Sequence, residues 1–189
     1  MFRIAAAATL ALATVAVSAN AEPLSYDYAY LSAQKDHVDG QTFNNATLGA
    51  YYSFAKDWHV FGSYGNAGSY GNPAWKDSRA ARIGIGGHWL LSDDTMIAVE
   101  GVVLRAQFDK PLVGTVRDTG ASEIFEIRHR FAPWMEGIAS ASHSDVLGRR
   151  TNEFVAGPVF HLNRTFALGA FYRHEQNSSG FELTLRTYY

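Results

Sequence analysis

Side-chain polarity alternates along this chain with a period of two, through segments longer than ordinary β-strands. Leu48, Ala50, Tyr52 and Phe54 alternate with Thr47, Gly49, Tyr51 and Ser53. Ile83, Ile85, Gly87, Trp89 and Leu91 alternate with Arg82, Gly84, Gly86 and His88. Phe125, Ile127 and Phe131 alternate with Glu126, Arg128 and Arg130, and Phe166, Leu168, Ala170 and Tyr172 with Ala167, Gly169, Phe171 and Arg173. The last segment sets Phe181, Leu183, Leu185, Thr187 and Tyr189 against Glu182, Thr184, Arg186 and Tyr188. A period of two belongs to extended strands, whose side chains leave opposite faces in turn. Ten such segments are recognisable: 25–36, 42–54, 58–68, 78–91, 95–108, 120–131, 134–144, 151–162, 165–176 and 180–189. All ten exceed the ~5–6 residues of a typical globular strand. They match the ~9–11 residues needed to cross a bilayer obliquely.

The connections alternate in length. Tight turns are expected at Ala55-Lys56-Asp57, Ser92-Asp93-Asp94, Ala132-Pro133 and Asn163-Arg164. Longer polar loops are expected from Asp36 to Gln41, Gly65 to Asp77, Asp109 to Gly120, Ser144 to Arg150 and Gln176 to Ser179. Short turns on one rim and long loops on the other describe an up-and-down transmembrane barrel.

Composition narrows the choice. Among 189 residues there is no cysteine, which excludes a disulfide scaffold and a thiol nucleophile. A net charge of -2 lacks the basic excess of a nucleic-acid binder. Residues 1–21 read as a secretory signal peptide: Arg3 precedes an Ala-rich apolar stretch from Ile4 to Val17, and Ser18-Ala19-Asn20-Ala21 ends in a small-x-small pattern. Residues 22–189 are then expected to form one exported domain, carried through the periplasm.

Which face meets lipid follows from where the charges lie. The four lysines, Lys35, Lys56, Lys76 and Lys110, sit in turns or at strand ends, whereas a soluble barrel would spread lysines along its outer faces. The polar faces instead carry Arg82, Glu100, Glu126, Arg128, Arg130, Glu136, Glu153, Arg173, Glu182 and Arg186 at mid-strand. Carboxylates and guanidinium groups in balance suit an enclosed, paired network. Phe54, Trp58, Trp89, Phe131, Trp134, Phe166 and Tyr189 recur near the short-turn rim as an aromatic girdle. Closure of first strand on last removes the edges that hydrocarbon cannot satisfy.

Four stretches carry a family likeness: LSYDYAYLSAQ, LGAYYSFAKDWHVFGSYG, RIGIGGHWLLSDDTMIAVEG and the terminal GFELTLRTYY. They resemble the small OmpX-like outer-membrane β-barrels of Gram-negative bacteria. The resemblance implies insertion by the barrel-assembly machinery, which reads a last strand ending in an aromatic; Phe181, Leu183, Leu185 and Tyr189 are that signal here. Well-known members have eight strands, which keeps eight as the alternative to the ten counted.

Catalytic patterns are thin. The seven histidines show no HxH or HExxH spacing. His143-Ser144-Asp145 has triad residue types, but consecutive residues seldom converge in triad geometry. The segment around His174 resembles part of a lipid A deacylase, yet Gln176 stands where the nucleophilic serine belongs. The expectation is therefore a barrel without catalysis and without a cofactor, its interior largely plugged by salt bridges, in a structural or adhesin-like surface role. The alternatives are a narrow solute channel, or a barrel enzyme acting on lipid A or peptides. Expected partners are outer-membrane lipid and lipopolysaccharide, and a host or surface ligand bound through long loops, with Tyr70, Trp75, Arg79, Arg117, Arg149 and Arg150 as contacts.

Overall fold

The strand boundaries follow the alternation closely near the tight turns and overrun it at the opposite rim. In the computed structural model, which describes residues 24–38, 41–66, 76–110, 114–146, 148–176 and 178–189, ten strands appear in chain order. They are β1 (Tyr28–Val38), β2 (Gln41–Ala55), β3 (Trp58–Asn66), β4 (Lys76–Ser92), β5 (Thr95–Lys110), β6 (Gly114–Ala132), β7 (Met135–Val146), β8 (Arg149–His161), β9 (Phe166–Glu175) and β10 (Ser178–Tyr188). Each pairs antiparallel with its sequence neighbours. Closure comes from β1 on β10, running from Tyr28 opposite Tyr188 to Val38 opposite Ser178. The fold is a closed all-β, up-and-down barrel of ten strands, so the eight-strand alternative falls. The signal-peptide residues lie outside the described part.

The long loops expected from the sequence are mostly strand. Only two positions separate β1 from β2, three separate β5 from β6, and two each separate β7 from β8 and β9 from β10. At ~3.3 Å per residue, the 19 residues of β6 extend about 60 Å, well beyond a ~25 Å apolar band even when tilted. The 67–75 connection, with Tyr70 and Trp75, lies outside the described residues.

The outer surface is greasy, and the interior gathers the buried charges beside an apolar cluster that includes Met96, Ile138 and Phe171. Ile83 is 67% exposed and Leu183 66%, whereas Arg128 and Glu136 are buried. The outward apolar residues form a belt next to the tight turns. Above it, outward positions turn polar at Lys35, Asn44, Arg79, Arg105, Glu123, His143, Asn152 and His174. The belt is four to five outward positions deep on most strands, close to the height of a bilayer core.

The β8–β9 ladder opens at Gly157 and Pro158, between the Ala156–Tyr172 and Val159–Gly169 pairs. Pro158 has no N–H to donate. A side chain on Gly157 would collide with the Ala170 carbonyl. Gly157→Ala is expected to cost about 1–3 kcal/mol through this overpacking, measured as a lower urea midpoint of the folded barrel in lipid vesicles. An unchanged midpoint would show that the strands separate freely there.

Candidate functional site

The lumen collects the buried polar groups, in two clusters at different heights. Near the tight-turn rim, Arg128 of β6 donates through Nη2 to Glu136 Oε1 at 3.2 Å, and its Nε lies 3.8 Å from Glu126 Oε1. Glu136 is the first inward residue of β7 and is fully buried, with His161 Nε2 at 3.3 Å. Arg186 of β10 lies 4.8 Å from the Tyr28 ring centroid and 5.6 Å from that of Phe171. Among the described residues, its Nε and Nη1 meet no hydrogen-bond partner.

Glu100 departs from the arginine–glutamate pairing expected of it. It meets His59 Nε2 at 3.0 Å. His59 on β3 and Glu100 on β5 both pair with Gly86 of the intervening β4. A side chain on Gly86 would strike both, so the missing Cβ is what lets them touch. His59 also lies 3.1 Å through Nδ1 from His88 Nδ1.

Toward the loop rim, Arg173 of β9 bridges Glu182 of β10 at 2.6 Å and Glu153 of β8. Asp36 accepts from Gln34 at 2.5 Å and from Asn45 at 2.8 Å. Arg82 lines the space between the clusters. Arg130 has inward parity but lies at the rim, where it pairs with Asp94 at 2.7 Å and with the Asp93 carbonyl. It stands beyond Arg128 toward the turn, where solvent reaches it, so it is outside the enclosed set.

Between the clusters is a cavity of about 160 Å³, lined by Tyr30, Arg82, Ser140, Ser142, Thr184 and Arg186 among others. A second cavity of about 70 Å³ adjoins it and shares Tyr30, Arg82, Arg173 and Glu182. On the turn side the lumen is occupied by tyrosines. Tyr26, Tyr28 and Tyr188 are buried, and Tyr51 stacks on Tyr28 at 4.9 Å. Sequence reasoning did not single these out, although tyrosine at positions 26, 28 and 30 on one strand face was a visible signal.

The girdle residues Phe54, Trp58, Trp89, Phe131, Trp134 and Phe166 face outward and are exposed. Tyr189 differs: its hydroxyl donates to the Tyr51 carbonyl at 2.5 Å, which ties the chain end to β2. In the terminal strand, Phe181 and Leu183 point outward. His143 and Asp145 face outward and bond Asn152 and Arg150, while Ser144 faces inward onto Ser122 at 2.9 Å. Strand geometry thus keeps the three triad residue types apart. Arg79, Arg117, Arg149 and Arg150 are exposed on strands rather than gathered on loops.

No family model matches the chain, and no curated protein matches it in sequence. Solved structures do resemble it. The COG4313 outer membrane channel from Pseudomonas putida F1 superposes with a TM-score of 0.56 at 8% identity, covering 89% of this chain and 99% of that one. A KdgM porin in complex with disordered oligogalacturonate gives 0.51 at 7% identity, covering 85% and 99%. The NanC porin gives 0.51 at 8% identity, covering 84% and 99%. The chain has the fold of an outer-membrane β-barrel. Similarity at this level concerns architecture. The expected structural or adhesin-like surface role is overturned by it, because these counterparts are named porins and a channel. The short reach between successive strands at the loop rim also removes much of the loop surface on which that role depended. None of the three is named as an enzyme.

Proposed function

We propose that this protein is a narrow solute channel of the bacterial outer membrane. The observation that carries the reading is the cavity of about 160 Å³ inside the barrel, set between two arginine–carboxylate clusters, lined by Arg82, Arg173 and Glu182 as well as by Leu104 and Ile138, and adjoining a second cavity toward the loop rim. Eight-stranded barrels fill their interiors with side chains, and each added strand widens the lumen. Ten strands with serine and threonine facing inward at Ser122, Ser140, Ser142, Ser144 and Thr184 favour water over packed hydrocarbon. The porin and channel names of the similar structures support the same reading.

The surrounding assignments belong to this proposal. Residues 1–21 direct export and are removed, and the barrel-assembly machinery inserts the chain through Phe181, Leu183, Leu185 and Tyr189. Lipopolysaccharide and outer-membrane lipid surround the belt. The charges Arg82, Glu100, Glu126, Arg128, Glu136, Glu153, Arg173, Glu182 and Arg186 set the electrostatic field of the path. Kinship with OmpX-like barrels is read as one of hairpin pattern, since ten strands exceed that family's usual eight.

The purified barrel in planar bilayers is expected to give small, discrete conductance steps. Replacing Arg173 with serine leaves Glu153 and Glu182 without their shared cation. The preference for cations over anions, read as a reversal potential under a salt gradient, should then rise by about a factor of two or more. Bilayers that stay silent with a folded barrel, with and without residues 22–26, would retire the reading.

A further inference from the structure

We propose that residues Leu24 to Asp27 form a gate that closes the tight-turn end of the lumen, an inference that rests on the channel reading above. The segment precedes β1 and leaves the barrel wall. The Ser25 carbonyl accepts from Arg128 Nη1 at 3.1 Å, and the Tyr26 hydroxyl donates to Glu126 at 2.6 Å. Both partners are on β6, which stands five strands from β1 in either direction around the ring. The segment therefore reaches across to the opposite wall. On the way, the Tyr26 ring stacks on His59 of β3 with centroids 4.0 Å apart.

Leu24 and Tyr26 are buried in one apolar cluster with Met96 and Ala98 of β5 and with Val159 and Ala167 of the adjacent β8 and β9, two separated parts of the wall. Two of these wall residues are alanine, so the strap supplies bulk that the wall lacks. Leu24 is held at a φ of 69°, a region that leucine seldom adopts.

The attachment is uneven, as a hinged gate requires. Asp27 is fixed: its carboxylate accepts from the Ser53 N–H at 2.6 Å, and its carbonyl accepts from the Tyr189 N–H at 3.2 Å. Among the described residues, no backbone-to-backbone hydrogen bond ties Leu24, Ser25 or Tyr26 to the wall. They are held by side chains: the Arg128 guanidinium, which also lies over the Tyr26 ring, the phenol–carboxylate bond, ring stacking and burial in the apolar cluster. Swinging the strap out breaks these side-chain contacts and leaves the strand ladder intact.

The test compares the mature chain from residue 22 with Tyr26→Ala and with a truncation lacking residues 22–26, which keeps Asp27. Each is reconstituted in planar bilayers in potassium chloride, and folding is confirmed by heat-modifiable migration on gels. Losing a hydrogen bond to a charged group shifts an equilibrium by about tenfold or more, so both variants should show at least that rise in open probability. Variants and parent conducting equally would overturn the gate and leave the channel standing. Folded variants that do not conduct would overturn both.

The absence of native cysteine allows a second readout that needs no conduction. Leu24→Cys should react slowly with a bulky maleimide, and about tenfold faster when combined with Tyr26→Ala. Equally fast labelling in both backgrounds would show that the strap is not seated.

Discussion

Glu136→Leu is expected to remove about 3–5 kcal/mol of barrel stability, because it strands a buried arginine without its nearest carboxylate. Arg128 is 1% exposed and Glu136 fully buried, so neither can recover its charge interactions from water. The loss spreads, since His161 and the Tyr188 hydroxyl also approach Glu136 Oε1, at 3.3 and 3.5 Å. Glu126, at 3.8 Å from Arg128 and already accepting from Tyr26, is too far and too occupied to substitute fully. The double replacement Arg128→Leu with Glu136→Leu should recover part of the loss, because an apolar pair leaves no buried guanidinium unpaired, while Glu126 and the Ser25 carbonyl lose their contacts with Arg128. Urea unfolding in lipid vesicles, run as a double-mutant cycle, measures this coupling. A single replacement costing under about 1 kcal/mol would match a solvated surface pair, and would mean that water fills the turn-side lumen.

The strand count and the inward set of charges were legible in the sequence because parity is a strong constraint. Once Leu183 faces lipid, Glu182 and Arg186 must face the lumen, and no local adjustment changes that. Parity says nothing of height, which is why Arg130 has the inward phase yet pairs with Asp94 at the solvated rim. Partner choice is also a tertiary matter. Glu100 joins His59 because Gly86 leaves a gap between their strands, a relation across 41 residues that no spacing rule contains. The loop rim was misjudged for a different reason. Where both faces of a strand meet water, the polarity contrast fades, so Thr115 to Gly120 of β6 read as loop while the backbone continued to pair with β5. Tyr26 has the phase of the β1 interior, and only the contacts with β6 reveal that the chain has left the wall.

An arginine placed at Leu183 tests which solvent the belt occupies. Leu183 lies mid-belt on β10, opposite Ala33 of β1 and Ala170 of β9, both small outward residues that offer an added charge no cover. Arginine facing lipid near the bilayer midplane costs about 2–4 kcal/mol, falling to about 0–1 near the interfaces. Leu183→Arg should therefore lower the unfolding free energy in vesicles by the larger amount. Glu123→Arg, at the polar margin above Phe125, should fall in the smaller range. The gradient between the two sites is the informative quantity, because a soluble barrel with a wet exterior would tolerate both equally. A third site separates the faces: Ser142 lines the cavity, and arginine there should alter ion selectivity with little loss of stability, as lumen substitutions in such barrels do. Equal tolerance at Leu183 and Glu123 would remove the lipid from the outer face, and with it the reason for the polar groups to be gathered inside.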